Sequence, residues 1–129
     1  MTIRVARESD WRAIRKLIQS FPTQLAQDNL PSWKDFYVAE ESAGRRRAIV
    51  GCCALEIYSK KIAEVRSLAI KKSFQGRGIA KALVGKCVAK ARAKGVLEVI
   101  AITGAFQFFD NLGFKSFNKA KFALFKVLR

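Results

Sequence analysis

Three apolar stretches, Phe36–Glu40, Ala48–Tyr58 and Ile62–Ile70, follow one another with only short turns between them, at Gly44-Arg45-Arg46-Arg47 and at Lys60-Lys61. Connections that short join antiparallel neighbours, because a parallel pair needs a crossover of about a dozen residues or more. The middle stretch is apolar almost throughout, as in a largely buried strand. An antiparallel sheet is therefore expected in the first part of the chain. Ile3–Ala6 reads as a strand ahead of it. After a cap at Ser9 or Asp10, the residues Trp11, Ile14, Leu17, Ile18 and Phe21 recur at helical spacing until Pro22. Residues 23–30 read as a second, short helix closed by Pro31.

Beyond Ile70 the period changes. Ile79, Leu83, Val84, Cys87, Val88 and Ala91 form one stripe of a helix over Gly76–Lys94, which stops at Gly95. Val96–Thr103 reads as a fifth strand and Phe106–Leu112 as a short helix stopped at Gly113. Phe114–Phe117 and Phe122–Leu128 read as two final strands. The chain of 129 residues suits one domain, 1–129, of mixed α/β class.

Charge and cysteine content narrow the chemistry. The sequence has 25 Lys+Arg, 10 Asp+Glu and no His, a net of +15. Glu98 and Asp110 are the only acids after residue 64, so the second half is suited to attract polyanions. Without imidazole, Ser-His-Asp and Cys-His catalysis are excluded, and Cys52, Cys53 and Cys87 lack the spacing of a zinc site. Cys52 and Cys53 are neighbours in a strand and face opposite sides, and all three thiols read as buried and inert. No apolar run reaches the ~18 residues of a membrane span, and Met1-Thr2-Ile3-Arg4 lacks the pattern of a signal peptide. A cytoplasmic location without membrane attachment is expected.

The segment Gln75-Gly76-Arg77-Gly78-Ile79-Ala80 joins a strand to the start of the main helix. Its glycines let the backbone curl, and the first N–H groups of a helix lack internal partners and favour negative charge. Such a loop can hold a pyrophosphate with main-chain donors. It does not match the Walker A pattern. A dinucleotide fingerprint would need a third glycine where Lys81 stands, although Glu98 follows Gly78 at the spacing of a ribose-binding acid. A plain tight turn is the other reading of the two glycines.

Together these segments resemble the GNAT superfamily of N-acetyltransferases, which transfer an acetyl group from acetyl-CoA to an amine. Gln75, Gly78 and Ala80 match its Gln/Arg-x-x-Gly-x-Gly/Ala signature. Val65–Ile70 looks like the family's fourth strand, and Phe36–Glu40 and Ile49–Gly51 like its second and third. Phe108–Phe114 is similar to its Phe-Tyr-Glu-x-x-Gly-Phe stretch. Within the superfamily, Ala63–Ala69 looks most like the acetyltransferase domains related to N-acetylglutamate synthase. The resemblance implies a GNAT-like fold, with a mostly antiparallel twisted sheet of about seven strands and about four flanking helices.

It also implies direct attack of a neutral amine on acetyl-CoA, with no metal. The main-chain edge of Leu68, Ala69 and Ile70 would pair with the pantetheine arm, and a backbone N–H there would polarise the thioester carbonyl. Gln75, Gly76, Arg77, Gly78, Ile79, Ala80 and Lys81 would bind the phosphates. Glu64 is the candidate base, acting through water, and strand alternation puts Glu64, Arg66, Leu68 and Ile70 on one face. Arg66 would read a substrate carboxylate; the bland reading of Glu64 and Arg66 is a solvated ion pair of ~0–1 kcal/mol. Many relatives place a proton-donating Tyr where this chain has Phe109, so either another hydroxyl, Thr103 or Tyr58, or water serves as the acid, or the thiolate leaves unassisted, and Phe109 is left as a wall of the cofactor slot. The acceptor is an amino acid, a small amine or a protein amine, and a homodimer is plausible by resemblance. The alternative reading is a basic nucleic-acid-binding module without acetyltransferase activity, using basic residues at 71, 72, 77, 81, 86, 90, 92 and 94.

Overall fold

Two hairpins in sequence build the sheet. The computed structural model describes residues 1–116 together with Lys126 and Leu128. Its strands are β1 (Thr2–Val5), β2 (Phe36–Ala43), β3 (Arg46–Ile57), β4 (Ile62–Ile70) and β5 (Glu98–Ala101), adjacent in that order. The first four pair antiparallel, and β5 runs parallel to β4 after a helical crossover. The helices are α1 (Trp11–Gln19), α2 (Ile79–Ala93) and α3 (Phe106–Asn111).

Several expectations are corrected. The sheet has five strands among the described residues, not seven. Phe114, Lys115 and Ser116 are not in a strand, and apart from Lys126 and Leu128 the expected last strand lies outside the described residues. There are three α-helices among them, because residues 23–30 form turns. Asn29 is left-handed at φ 54°, and the Gln27 amide donates to the carbonyls of Ile18, Phe21 and Leu25 at 3.1–3.2 Å. Side-chain bonds to those carbonyls support a turn in place of a helical ladder. α1 stops at Gln19, ahead of Pro22, with the Ser20 hydroxyl donating to the Leu17 carbonyl. Asp10 does not cap α1; its carboxylate accepts from the Arg7 N–H and from Arg4.

Each face of the sheet has its own core. α2 covers one with Leu83, Val84, Cys87 and Ala91, packed on Val50, Cys53, Leu55 and Val65. α1 covers the other with Ile14, Leu17 and Ile18 against Phe36, Val38, Cys52 and Ala54. Cys52 and Cys53 therefore do face opposite layers, and all three thiols are free and buried. Fully burying a side chain such as Leu83 or Ile14 stabilises by roughly 1.5–3 kcal/mol. Gly51 lets α2 come this close: a Cβ there would lie 3.0 Å from Ile70 Cδ1 and 3.2 Å from Ile79 and Leu83. The tip of β4 and the start of α2 are thereby pressed together.

Candidate active site

The site begins with a mismatch between strand lengths. β4 runs to Ile70, but its pairing with β5 covers only Ile62–Val65 against Glu98–Ala101. Past Val65 the edge of β4 that faces away from β3 has no strand partner among the described residues. Hydrogen-bonding groups on such an edge can accept an extended ligand.

A bulge shapes this free edge. Cys52 pairs with Ala69 and Ala54 with Arg66, so Ser67 and Leu68 together oppose Cys53. Ser67 takes a left-handed φ of 55°, which costs a non-glycine residue of order 1–3 kcal/mol, and its carbonyl accepts from the Cys52 thiol. The bulge also overturns the expected single face. Leu68 and Ile70 pack in the α2 layer with Val65, whereas Ala69 belongs to the α1 layer. Glu64 and Arg66 alternate with Val65 and lie on the α1 side, opposite to Leu68 and Ile70.

The free edge borders a cleft of about 390 Å³. Leu68, Ala69 and Ile70 form one wall, and Gln75, Gly76, Gly78, Ile79, Ala80 and Lys81 close the end. Gly76 and Gly78 sit at φ 78° and 81°, in the left-handed region that other residues occupy at a cost. No acceptor among the described residues takes the N–H groups of Gly76, Arg77 or Gly78. The first N–H groups of α2 add to them. Gln75 turns its amide back to the Ile70 carbonyl at 3.0 Å, which ties the loop to the end of β4. Lys71, Lys72, Arg77 and Lys81 are in no ion pair among the described residues. An anion fits this end.

Two expected cofactor residues do not line the cleft. The Arg77 guanidinium lies 4.7 Å over the Phe74 ring. Phe109 is buried in the α2-side core, T-shaped against Phe108 and Phe114 at 5.0 and 5.2 Å. Phe108 takes the wall instead, with Ala105, Phe74 and, from the loop after α1, Phe21, Gln24 and Leu25. A six-residue helix carries too little periodicity to show which Phe turns inward, and the α1 loop carries no motif at all. Thr103 is exposed and accepts from the Ala105 N–H at 2.9 Å, outside the cleft lining.

On the other side of β4, Glu56 and Glu64 are direct cross-strand partners. Arg66 pairs with Glu56 at 2.9 Å, not with Glu64, and donates to the Asn29 carbonyl at 3.2 Å. Glu64 accepts instead from the Tyr58 hydroxyl. Partial desolvation first, and the hydrogen bond to Glu64 second, push the phenol well above its ordinary range, so it stays protonated.

A model described as acetyltransferase (GNAT) domain matches residues 32–116. The chain belongs to the GNAT acetyltransferase family. It is an acetyl-CoA-dependent N-acetyltransferase, and the expected GNAT-like architecture is present. An uncharacterized N-acetyltransferase of Chlorobaculum tepidum is 32% identical over 126 residues, covering 93% of this chain and 79% of that protein. An amino-acid acetyltransferase of Mycobacterium tuberculosis is 31% identical over 117 residues, covering 87% and 67%. Among solved structures, a Mycobacterium tuberculosis protein in complex with CoA superposes with TM-score 0.83 at 29% identity, over 92% of this chain and 74% of that one. N-acetylglutamate synthase from Neisseria gonorrhoeae shares the fold with TM-score 0.78 at 22% identity, over 94% of this chain and 30% of that one. Among the described residues of this GNAT domain there is no group of side chains arranged to hold a metal, and no helix long and apolar enough to cross a membrane.

Proposed function

We propose that this acetyltransferase acetylates the α-amino group of an amino acid or a similar small acceptor bearing a carboxylate. The observation that carries the proposal is the placing of Glu64 and Arg66 on one face of β4, across the strand from Leu68 and Ile70. A carboxylate to take the amine proton shares that face with a guanidinium whose remaining N–H donors, beyond those given to Glu56 and the Asn29 carbonyl, can read an acceptor carboxylate. The amino-acid acetyltransferase at 31% identity supports the same acceptor class.

In this reading the free edge of Leu68, Ala69 and Ile70 pairs with the pantetheine arm, and Gly76, Gly78, Ile79 and Ala80 donate main-chain N–H groups to the pyrophosphate. Lys81 adds charge at the rim. Glu64 accepts one proton of the acceptor ammonium through a water molecule. The freed amine nitrogen bonds to the thioester carbonyl carbon, and an N–H at the bulge stabilises the oxygen as it gains charge. The C–S bond then breaks. The thiolate takes up the second proton given off by the new amide nitrogen, through water, because Phe109 has none to give and Thr103 stands outside the cleft. The balance is acetyl-CoA and R–NH3+ to acetamide, CoA thiol and one proton released to solvent.

Thiol release measured over a panel of amino acids, their carboxamides and the matching decarboxylated amines tests this. Loss of one charge-assisted pair costs about 1.5–3 kcal/mol, so carboxamides should fall roughly 10–100-fold in kcat/KM, and Arg66→Leu should abolish the difference. Equal turnover of carboxamides and free acids would overturn the acceptor assignment.

A further inference from the structure

Glu56 and Glu64 face each other across β3 and β4, a spacing of about 5 Å between Cβ atoms for direct partners. Each of these like charges is held by a different donor. Arg66 takes Glu56, and the Asn29 carbonyl keeps the guanidinium on that side. Glu64 is left to Tyr58, whose hydroxyl donates to Oε1. No other partner of the Glu64 carboxylate exists among the described residues, so Oε2 stays open. Tyr58 has a fixed frame from which to act: its N–H donates to the Ile62 carbonyl at 3.1 Å and closes the β3–β4 turn. A phenol has only two side-chain torsions, so a hydroxyl anchored this way orients its partner at small entropic cost.

We infer that Tyr58 is a positioning residue for the acyl transfer: it holds Glu64 Oε1 so that Oε2 faces the acceptor amine and its water. The inference rests on the reading of Glu64 as the proton acceptor. Tyr58 is not the acid for the leaving thiolate. Its proton is committed to Glu64, and its suppressed ionisation keeps it a donor throughout the range where the amine is acetylated.

The test is a double-mutant cycle on the full chain with acetyl-CoA and its best amine acceptor. Tyr58→Phe should lower kcat roughly tenfold and leave the KM for acetyl-CoA unchanged. The ring is half-exposed, at 51%, so removing its hydroxyl should leave the unfolding temperature in place. In a Glu64→Gln background the same change should lower kcat less than about twofold further, since the orienting contact then has no proton acceptor to serve. Losses that multiply in the double variant, or wild-type kcat in Tyr58→Phe beside a slow Glu64→Gln, would overturn the role of Tyr58 alone. Wild-type kcat in Glu64→Gln would overturn the reading of Glu64 itself.

Discussion

Val65 and Ala101 are the last partners of the parallel ladder between β4 and β5. One residue further along β4 the edge has no strand partner among the described residues, and two residues further Ser67 breaks the strand's alternation. The unpaired edge and the change of face along β4 thus lie within one short segment.

Ser67 should be sensitive to side-chain shape. A β-branched residue at φ 55° is more strained than serine, so Ser67→Val is expected to lower stability by about 1–2 kcal/mol. Urea unfolding measures this. The kcat should fall as well, because the bulge sets where Leu68 and Ala69 present their main-chain groups.

Gly78→Glu puts a carboxylate and a left-handed side chain at the anion end of the cleft. Acetyl-CoA affinity should drop roughly 100-fold, about 2.7 kcal/mol. Titration calorimetry reads it directly, and an unchanged Kd would remove the loop from phosphate binding.

The two adjacent phenylalanines of α3 should separate cleanly. Phe109 is 6% exposed in the core, so Phe109→Ala is expected to cost about 3–5 kcal/mol in unfolding free energy. Phe108→Ala should cost less stability and raise the KM for acetyl-CoA several-fold, since Phe108 lines the cleft. Equal effects of both variants on KM would contradict the assignment of walls.

The Arg4–Asp10 pair predicts an acid dependence. Hydrogen bonding to Arg4 at 2.8 Å holds the Asp10 carboxyl below its ordinary value of 3.8 against the opposing effect of burial, and the Arg7 N–H assists. A carboxyl lowered on folding stabilises above its unfolded pKa, and that gain is lost as pH falls through the folded value. Asp10→Asn should therefore cost about 1–3 kcal/mol at pH 7 and progressively less below pH 4. Unfolding curves of both proteins at pH 7 and pH 3 check the convergence.

Much of the architecture is legible in the order of residues because the signals are local. Ile62–Ile70 is a strand with the expected bounds, the α2 stripe lies inward, and the backbone curls at Gly76 and Gly78, both at left-handed angles. What needed tertiary structure depends on partners distant in sequence. Cys53 faces two residues of β4 where the register shifts, and this shift decides that Glu64 and Leu68 lie on opposite faces. Gln27 reaches back to the Ile18 and Phe21 carbonyls and turns an expected helix into a wall of the cleft. Arg66 chooses Glu56 across the hairpin over Glu64 in its own strand. By itself the sequence determined the first hairpins, the main helix and the glycine turn before it, since propensity and periodicity act within one segment, and its motifs carried the resemblance to the family. Only the tertiary structure decided which side chains share a face, because a single bulge inverts every side chain beyond it and no local pattern records the strand that imposes it.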